Sequence, residues 1–130
     1  MSYSIQWDNA DKTVVFQQYT DKAVKEDLYS LSKESAEMLK SVSHTVHLII
    51  DESLIKLTLN TADINYLEKV VPANQGVVVV VYSKLSLTYK KMIHDTNTKL
   101  APKAFNKGLF APSVEEARQL LQEQFGVHYP

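Results

Sequence analysis

The sequence predicts an α/β fold in which an N-terminal β-hairpin leads into repeated βα units. Two apolar runs carry that prediction, Val46-His47-Leu48-Ile49-Ile50 and Val77-Val78-Val79-Val80-Val81-Tyr82. Neither alternates apolar with polar residues, so neither suits a strand with one wet face. β-Branched runs of this length read as strands covered on both faces. An amphipathic segment follows each, and strand then helix in repetition points to a parallel sheet. The expected architecture is a mixed, mostly parallel sheet of about five strands with about four helices, in a single domain over residues 1–130.

The elements follow in order. Ile5-Gln6-Trp7 and Thr13-Val14-Val15-Phe16-Gln17-Gln18-Tyr19 flank Asp8-Asn9-Ala10-Asp11, whose Asp and Asn residues favour a turn, so the domain opens on a hairpin. Asp21 is a candidate cap for the next helix, with Glu26 and Asp27 early, where the helix dipole favours acids. In that helix Val24, Leu28, Leu31, Ser35, Met38 and Val42 recur at steps of four and three and form one stripe. The strand Val46–Ile50 ends at Asp51-Glu52-Ser53, and residues 54–60 read as an ambiguous, extended connection. Asn60 or Thr61 caps a short helix through Ile64, Leu67 and Val71, which Pro72 ends. Asn74-Gln75-Gly76 turns into the second buried strand. A third helix from about Ser83 to Leu100 is expected to bury Leu85, Tyr89, Met92 and Ile93, and Pro102 stops it. The last strand runs from Phe105 to Phe110, interrupted by Gly108. Ser113-Val114-Glu115-Glu116 is a capping box for a helix that buries Val114, Ala117, Leu120, Leu121 and Gln124 or Phe125, and Gly126 ends it.

Composition narrows the chemistry. With 130 residues, 45% hydrophobic and 22% charged, the chain suits one globular core. It holds no cysteine, which excludes disulfides, thiolate zinc sites and a cysteine nucleophile. No apolar run approaches the roughly 18–20 residues that cross a bilayer. Met1-Ser2-Tyr3-Ser4-Ile5 has neither the basic start nor the apolar stretch of a signal peptide, and the expected location is the cytoplasm. The net charge of −1 hides an asymmetry: residues 84–107 hold six lysines against Asp95 alone. Those lysines, at 84, 90, 91, 99, 103 and 107, are not interleaved with aromatic stacking platforms, and the pI is near 6.4. A solvated basic face is therefore expected, not a nucleic-acid site.

This order of elements, over essentially the whole chain, resembles the SpoIIAA-like superfold of bacterial STAS domains and, more distantly, of CRAL-TRIO lipid carriers. Three stretches carry the likeness: Tyr3-Ser4-Ile5-Gln6-Trp7, Val46-His47-Leu48-Ile49-Ile50-Asp51, and Phe110-Ala111-Pro112-Ser113-Val114-Glu115-Glu116-Ala117. The chain is most similar to the small bacterial SpoIIAA-like proteins of unknown function. Anti-sigma-factor antagonists of this superfold carry an Asp-Ser-Ser-Gly-like turn with a phosphorylated serine at the start of the second helix. The corresponding Leu59-Asn60-Thr61-Ala62-Asp63 keeps a hydroxyl and an acid but lacks that serine and glycine, so Thr61 is read first as a helix cap.

The remaining candidates are sparse. His44 and His47, three apart on a strand, point to opposite faces and cannot share an ion there, so no metal is expected. The three glycines are dispersed, which excludes a phosphate-binding loop, and no Gly-x-Ser-x-Gly elbow exists. Asp51, Glu52 and Ser53 stand at the carboxyl end of a strand, where ligands approach a parallel sheet; the plainer reading is that Asp51 caps the turn. The first functional expectation is a non-enzymatic regulatory or protein-interaction module without cofactors. The alternative is a carrier of a small apolar or amphipathic, lipid-like ligand. In that case Tyr82, Tyr89, Met92 and Phe105 line a groove under the third helix, with Lys90 or Lys91 near an anionic head. The opening hairpin leaves a sheet edge through which a homodimer can form.

Overall fold

The computed structural model describes residues 2–54, 59–82, 87–104 and 108–129. A five-stranded sheet is built from β1 (Tyr3–Trp7), β2 (Val14–Tyr19), β3 (Val46–Asp51), β4 (Gln75–Val81) and β5 (Leu109–Ala111). The strands lie side by side in chain order; β1 and β2 are antiparallel and every later pair is parallel. The four helices are α1 (Lys25–Lys40), α2 (Thr61–Val70), α3 (Leu87–Leu100) and α4 (Val114–Phe125). Right-handed crossovers between strands that always step the same way put α1, α2 and α3 on one face. In keeping with this, α1 packs on α2 and α2 on α3, while α4 lies on β3, β4 and β5.

Both faces of the two central strands are therefore covered, as their unbroken apolar runs require. Val46, Leu48, Val78 and Val80 join Val15 and Leu39 in the layer beneath α1. Ile49, Val77, Val79 and Val81 join Val14, Ala117 and Leu121 beneath α4. Gln17 is buried within β2 beneath α1, where its amide donates to the Ser35 hydroxyl at 2.9 Å. In β1, Ser4 and Gln6 are exposed, whereas Tyr3, Ile5 and Trp7 are half-buried on the α1 side.

The helix ends depart from expectation in one place. Asp21 is not the cap of α1; the cap position is Val24, whose N–H donates to the Asp27 carboxylate at 2.8 Å. A valine side chain accepts no hydrogen bond, and Val24 is 54% exposed, so it also lies outside the buried stripe. Of the expected stripe Leu31 and Ser35 are buried, and Ala36 and Leu39 are buried with them. At the far end of α1, the Asn74 amide donates to the carbonyls of Leu39, Val42 and His44 at 2.9, 3.4 and 2.9 Å. Asn60, not Thr61, caps α2: its side chain accepts from Asp63 N–H, and the Asp63 carboxylate accepts from Asn60 N–H, both at 2.9 Å. Ser113 accepts from Glu116 N–H at 3.2 Å, and Gly126, at φ 66°, closes α4 in the left-handed region.

The third helix also differs from its expected face. Met92 is 60% exposed and Leu100 is 51% exposed, while Asn97 and Ala101 are buried. The expected beginnings of this helix and of the last strand, residues 83–86 and Phe105 with its neighbours, lie outside the described residues. So does most of the connection at 55–58. Among the described residues no helix is long and apolar enough to cross a membrane.

Candidate functional site

The carboxyl ends of β3 and β4 lie side by side. Asp51 ends β3 directly beside Val81, Glu52 N–H donates to the Val81 carbonyl at 3.0 Å, and Tyr82 follows on the neighbouring strand. Asp51 is buried, and its two oxygens are occupied. Oδ1 accepts from Ser53 N–H at 3.0 Å and from the Ser53 hydroxyl at 2.7 Å; Oδ2 accepts from the Gln18 amide at 3.0 Å. This is an Asx turn closed across the sheet, the structural role that a carboxylate two residues before a serine favours. Glu52 and Ser53 are half-buried, and Tyr82 stacks edge-on to Phe110 with centroids 6.4 Å apart. Thr61 sits exposed at the first turn of α2, and Lys91 and Met92 are exposed on α3. The side chains of Tyr89 and Lys90, and the whole of Phe105, lie outside the described residues.

Three side-chain clusters were not legible as units. The first joins α1 to α2. The buried Asp63 carboxylate accepts from the Tyr29 hydroxyl, pairs with Lys25 Nζ at 3.1 Å, and takes the Asn60 N–H. The Tyr29 hydrogen bond, then the Asn60 N–H and Lys25, hold Asp63 below the usual carboxylate range; the same bond raises Tyr29. The Tyr29 and Tyr66 rings pack alongside, 4.5 Å between centroids.

The second cluster lies at the opposite end of the sheet and ties the C-terminal segment to the hairpin turn. Arg118 on α4 grips Asp8 with two hydrogen bonds, 3.0 Å from Nε and 2.7 Å from a terminal nitrogen. Tyr129 donates to the same carboxylate at 2.6 Å, and burial followed by that bond raises its hydroxyl pKa strongly. Beside it, the Asn9 side chain accepts from the N–H groups of Thr13 and Val14 and donates to the His128 carbonyl.

The third cluster is a bulge in the central ladder. The β3–β4 register shifts between Val46 and Leu48, and His47 lies opposite the extra residue. Its Nδ1 accepts the Val77 N–H at 3.0 Å, which fixes the neutral ring with its proton on Nε2. The ring passes so close to Gly76 that a Cβ there would lie 2.3 Å from Nδ1. Burial lowers the His47 pKa from 6.5. The folded chain thus binds this proton less readily than the unfolded chain. Stability from this group is complete above about pH 6.5 and falls as the pH drops from there toward the folded-state pKa. Urea titrations between pH 7.5 and 5 are expected to show that loss, and His47→Gln is expected to lack it. An unchanged slope in the variant would reject the assignment. His44, by contrast, is exposed ahead of the strand, with Nε2 2.8 Å from the Lys12 carbonyl.

Chemically, then, the buried Asp8, Asp51 and Asp63 and the half-buried His47 are each engaged in joining elements of the fold. Among the described residues no group of three or more His, Cys, Asp or Glu is placed to hold a metal ion. Comparison with family models, with curated proteins and with solved structures finds no match to this chain.

Proposed function

We propose that the chain is a non-enzymatic, SpoIIAA-like protein-interaction module that meets its partner with the loops at the carboxyl end of its parallel strands. One observation carries the reading: adjacent strands β2 and β3 lead into segments that hold two large exposed apolar side chains at that end. Val24 is 54% exposed and Leu54 is 62% exposed, while the Asp51 carboxylate between those strand ends is already saturated by Gln18 and Ser53. Exposed apolar side chains gathered at one end suit burial against another protein. The likeness to SpoIIAA-like domains rests on the order of elements.

The test uses substitutions that separate binding from folding. Val24→Ser supplies the missing helix cap and is expected to raise stability by about 1 kcal/mol in urea denaturation. Combined with Leu54→Ser, it is expected to abolish capture of the partner that the native chain retrieves from its source lysate. Met92→Ser, exposed on α3, is expected to leave capture intact. Native mass spectrometry of the purified chain provides the opposing outcome. A non-covalent small-molecule mass that disappears on denaturation would overturn the proposal in favour of a ligand carrier.

A further inference from the structure

β1 forms one edge of the sheet, paired with β2 alone. Ser2 accepts from Thr20 N–H at 2.9 Å and Asp8 N–H donates to Val14 at 2.8 Å, so the even-numbered residues of this segment bond inward to β2. Antiparallel alternation then turns the N–H and C=O of Tyr3, Ile5 and Trp7 outward. These six groups have no partner among the described residues. A groove of about 430 Å³ lined by Ser2, Tyr3, Ser4, Ile5 and Glu34 runs along that edge. Residues 2–7 contain no charge and no proline, and β1 pairs with β2 in unbroken register, so the usual obstacles to edge pairing are missing.

We propose that β1 pairs antiparallel with β1 of a second copy about a two-fold axis through Ile5, joining the two sheets into one. In that register Ile5 faces its own copy and Tyr3 faces Trp7 of the second copy. Odd residues meet odd residues, so every outward N–H and C=O finds a complement. The side chains agree. Tyr3, Ile5 and Trp7 share the α1 side of the sheet, where the pairing makes aromatic and aliphatic cross-strand neighbours; Ser4 and Gln6 share the other.

The flanking charges make the edge self-complementary. Glu34 accepts from the Tyr3 hydroxyl at 3.0 Å, which places an acid at one end of the strand. Lys12 Nζ stands 5.9 Å from the Trp7 ring centroid, which places a base at the other. Because Tyr3 meets Trp7 of the second copy, each Glu34 approaches the Lys12 of its mate, twice per dimer. Two-fold symmetry requires an isologous patch of this kind.

Sedimentation equilibrium tests the geometry. The native chain is expected to dimerise, and Ile5→Lys to be monomeric. Lys12→Glu and Glu34→Lys, both at exposed positions, each place like charges together at both ends and are expected to weaken dimerisation about tenfold. Mixed one to one, the two reversed chains restore both oppositely charged contacts and are expected to form a heterodimer of near-native affinity. A native chain that remains monomeric at about 1 mM would overturn the proposal. So would a dimer insensitive to both reversals, or reversed chains that fail to rescue each other.

Discussion

Gly76→Ala is expected to lower unfolding stability by about 3 kcal/mol, with most of that loss absent from a chain already carrying His47→Ala. A Cβ on residue 76 would lie 2.3 Å from His47 Nδ1, 2.6 Å from Cε1 and 2.9 Å from Thr45 Cγ2. The His47 ring would have to move. It accepts the Val77 N–H at 3.0 Å, so moving it leaves a backbone donor unpaired at the edge of the core. Overpacking and a lost acceptor each cost about 1–3 kcal/mol. Removing the ring first opens the space, and Thr45 is an exposed side chain that can rotate away. Urea denaturation of the four chains in this double-mutant cycle measures the coupling. Additive losses would show that Gly76 serves the bulge in β4 independently of the histidine.

Arg118→Met is expected to cost about 3 kcal/mol, because it leaves a buried carboxylate without its cation. The Asp8 side chain is only 2% exposed, against 38% for Arg118. Water reaching the guanidinium keeps the cost near the lower end of what a broken buried pair can cause. Arg118→Lys is expected to recover little, since an ammonium cannot reproduce the two-pronged grip at 2.7 and 3.0 Å. Tyr129→Phe, which removes a single hydrogen bond, is expected to cost about 1 kcal/mol. Chemical denaturation ranks the three. A native-like midpoint for Arg118→Met would mean that solvent replaces the arginine.

The fold was legible where burial alone decides it. Val77–Val81 and Val46–Ile50 contain so little polarity that only a doubly covered strand accommodates them. The Asp8-Asn9 turn and the Ser113 cap are local chemistry within a few residues. What escaped was the cap of α1, because Asp21 is a good capping residue and Val24 is a poor one. The clusters escaped for a different reason: their members are distant in sequence. Tyr29 reaches Asp63 across 34 positions, His47 takes the Val77 N–H across 30, and Asp8 meets Tyr129 across 121. Asn74-Gln75-Gly76 reads as a turn, but Gly76 lies within β4 at the bulge, and its close approach to the His47 ring has no local signal. Asp51 closes β3, with Glu52 and Ser53 just after it, where the apolar run Val46–Ile50 ends. The saturation of Asp51 by Gln18 requires the β2–β3 register, which no local pattern reveals.

The order in which strands neighbour one another also has a bearing on synthesis. Each parallel strand adds beside the one made just before it, so the sheet can grow stepwise as the chain leaves the ribosome. The Asp8 grip reverses that economy. The hairpin turn waits for Arg118 and Tyr129, which are made 110 and 121 positions later than Asp8. Until they arrive, the face later covered by α4 leaves Ile49 and Val79 open to water. The nascent domain is therefore most exposed to aggregation just before it is finished, and the closing residues act as a latch on an otherwise assembled sheet.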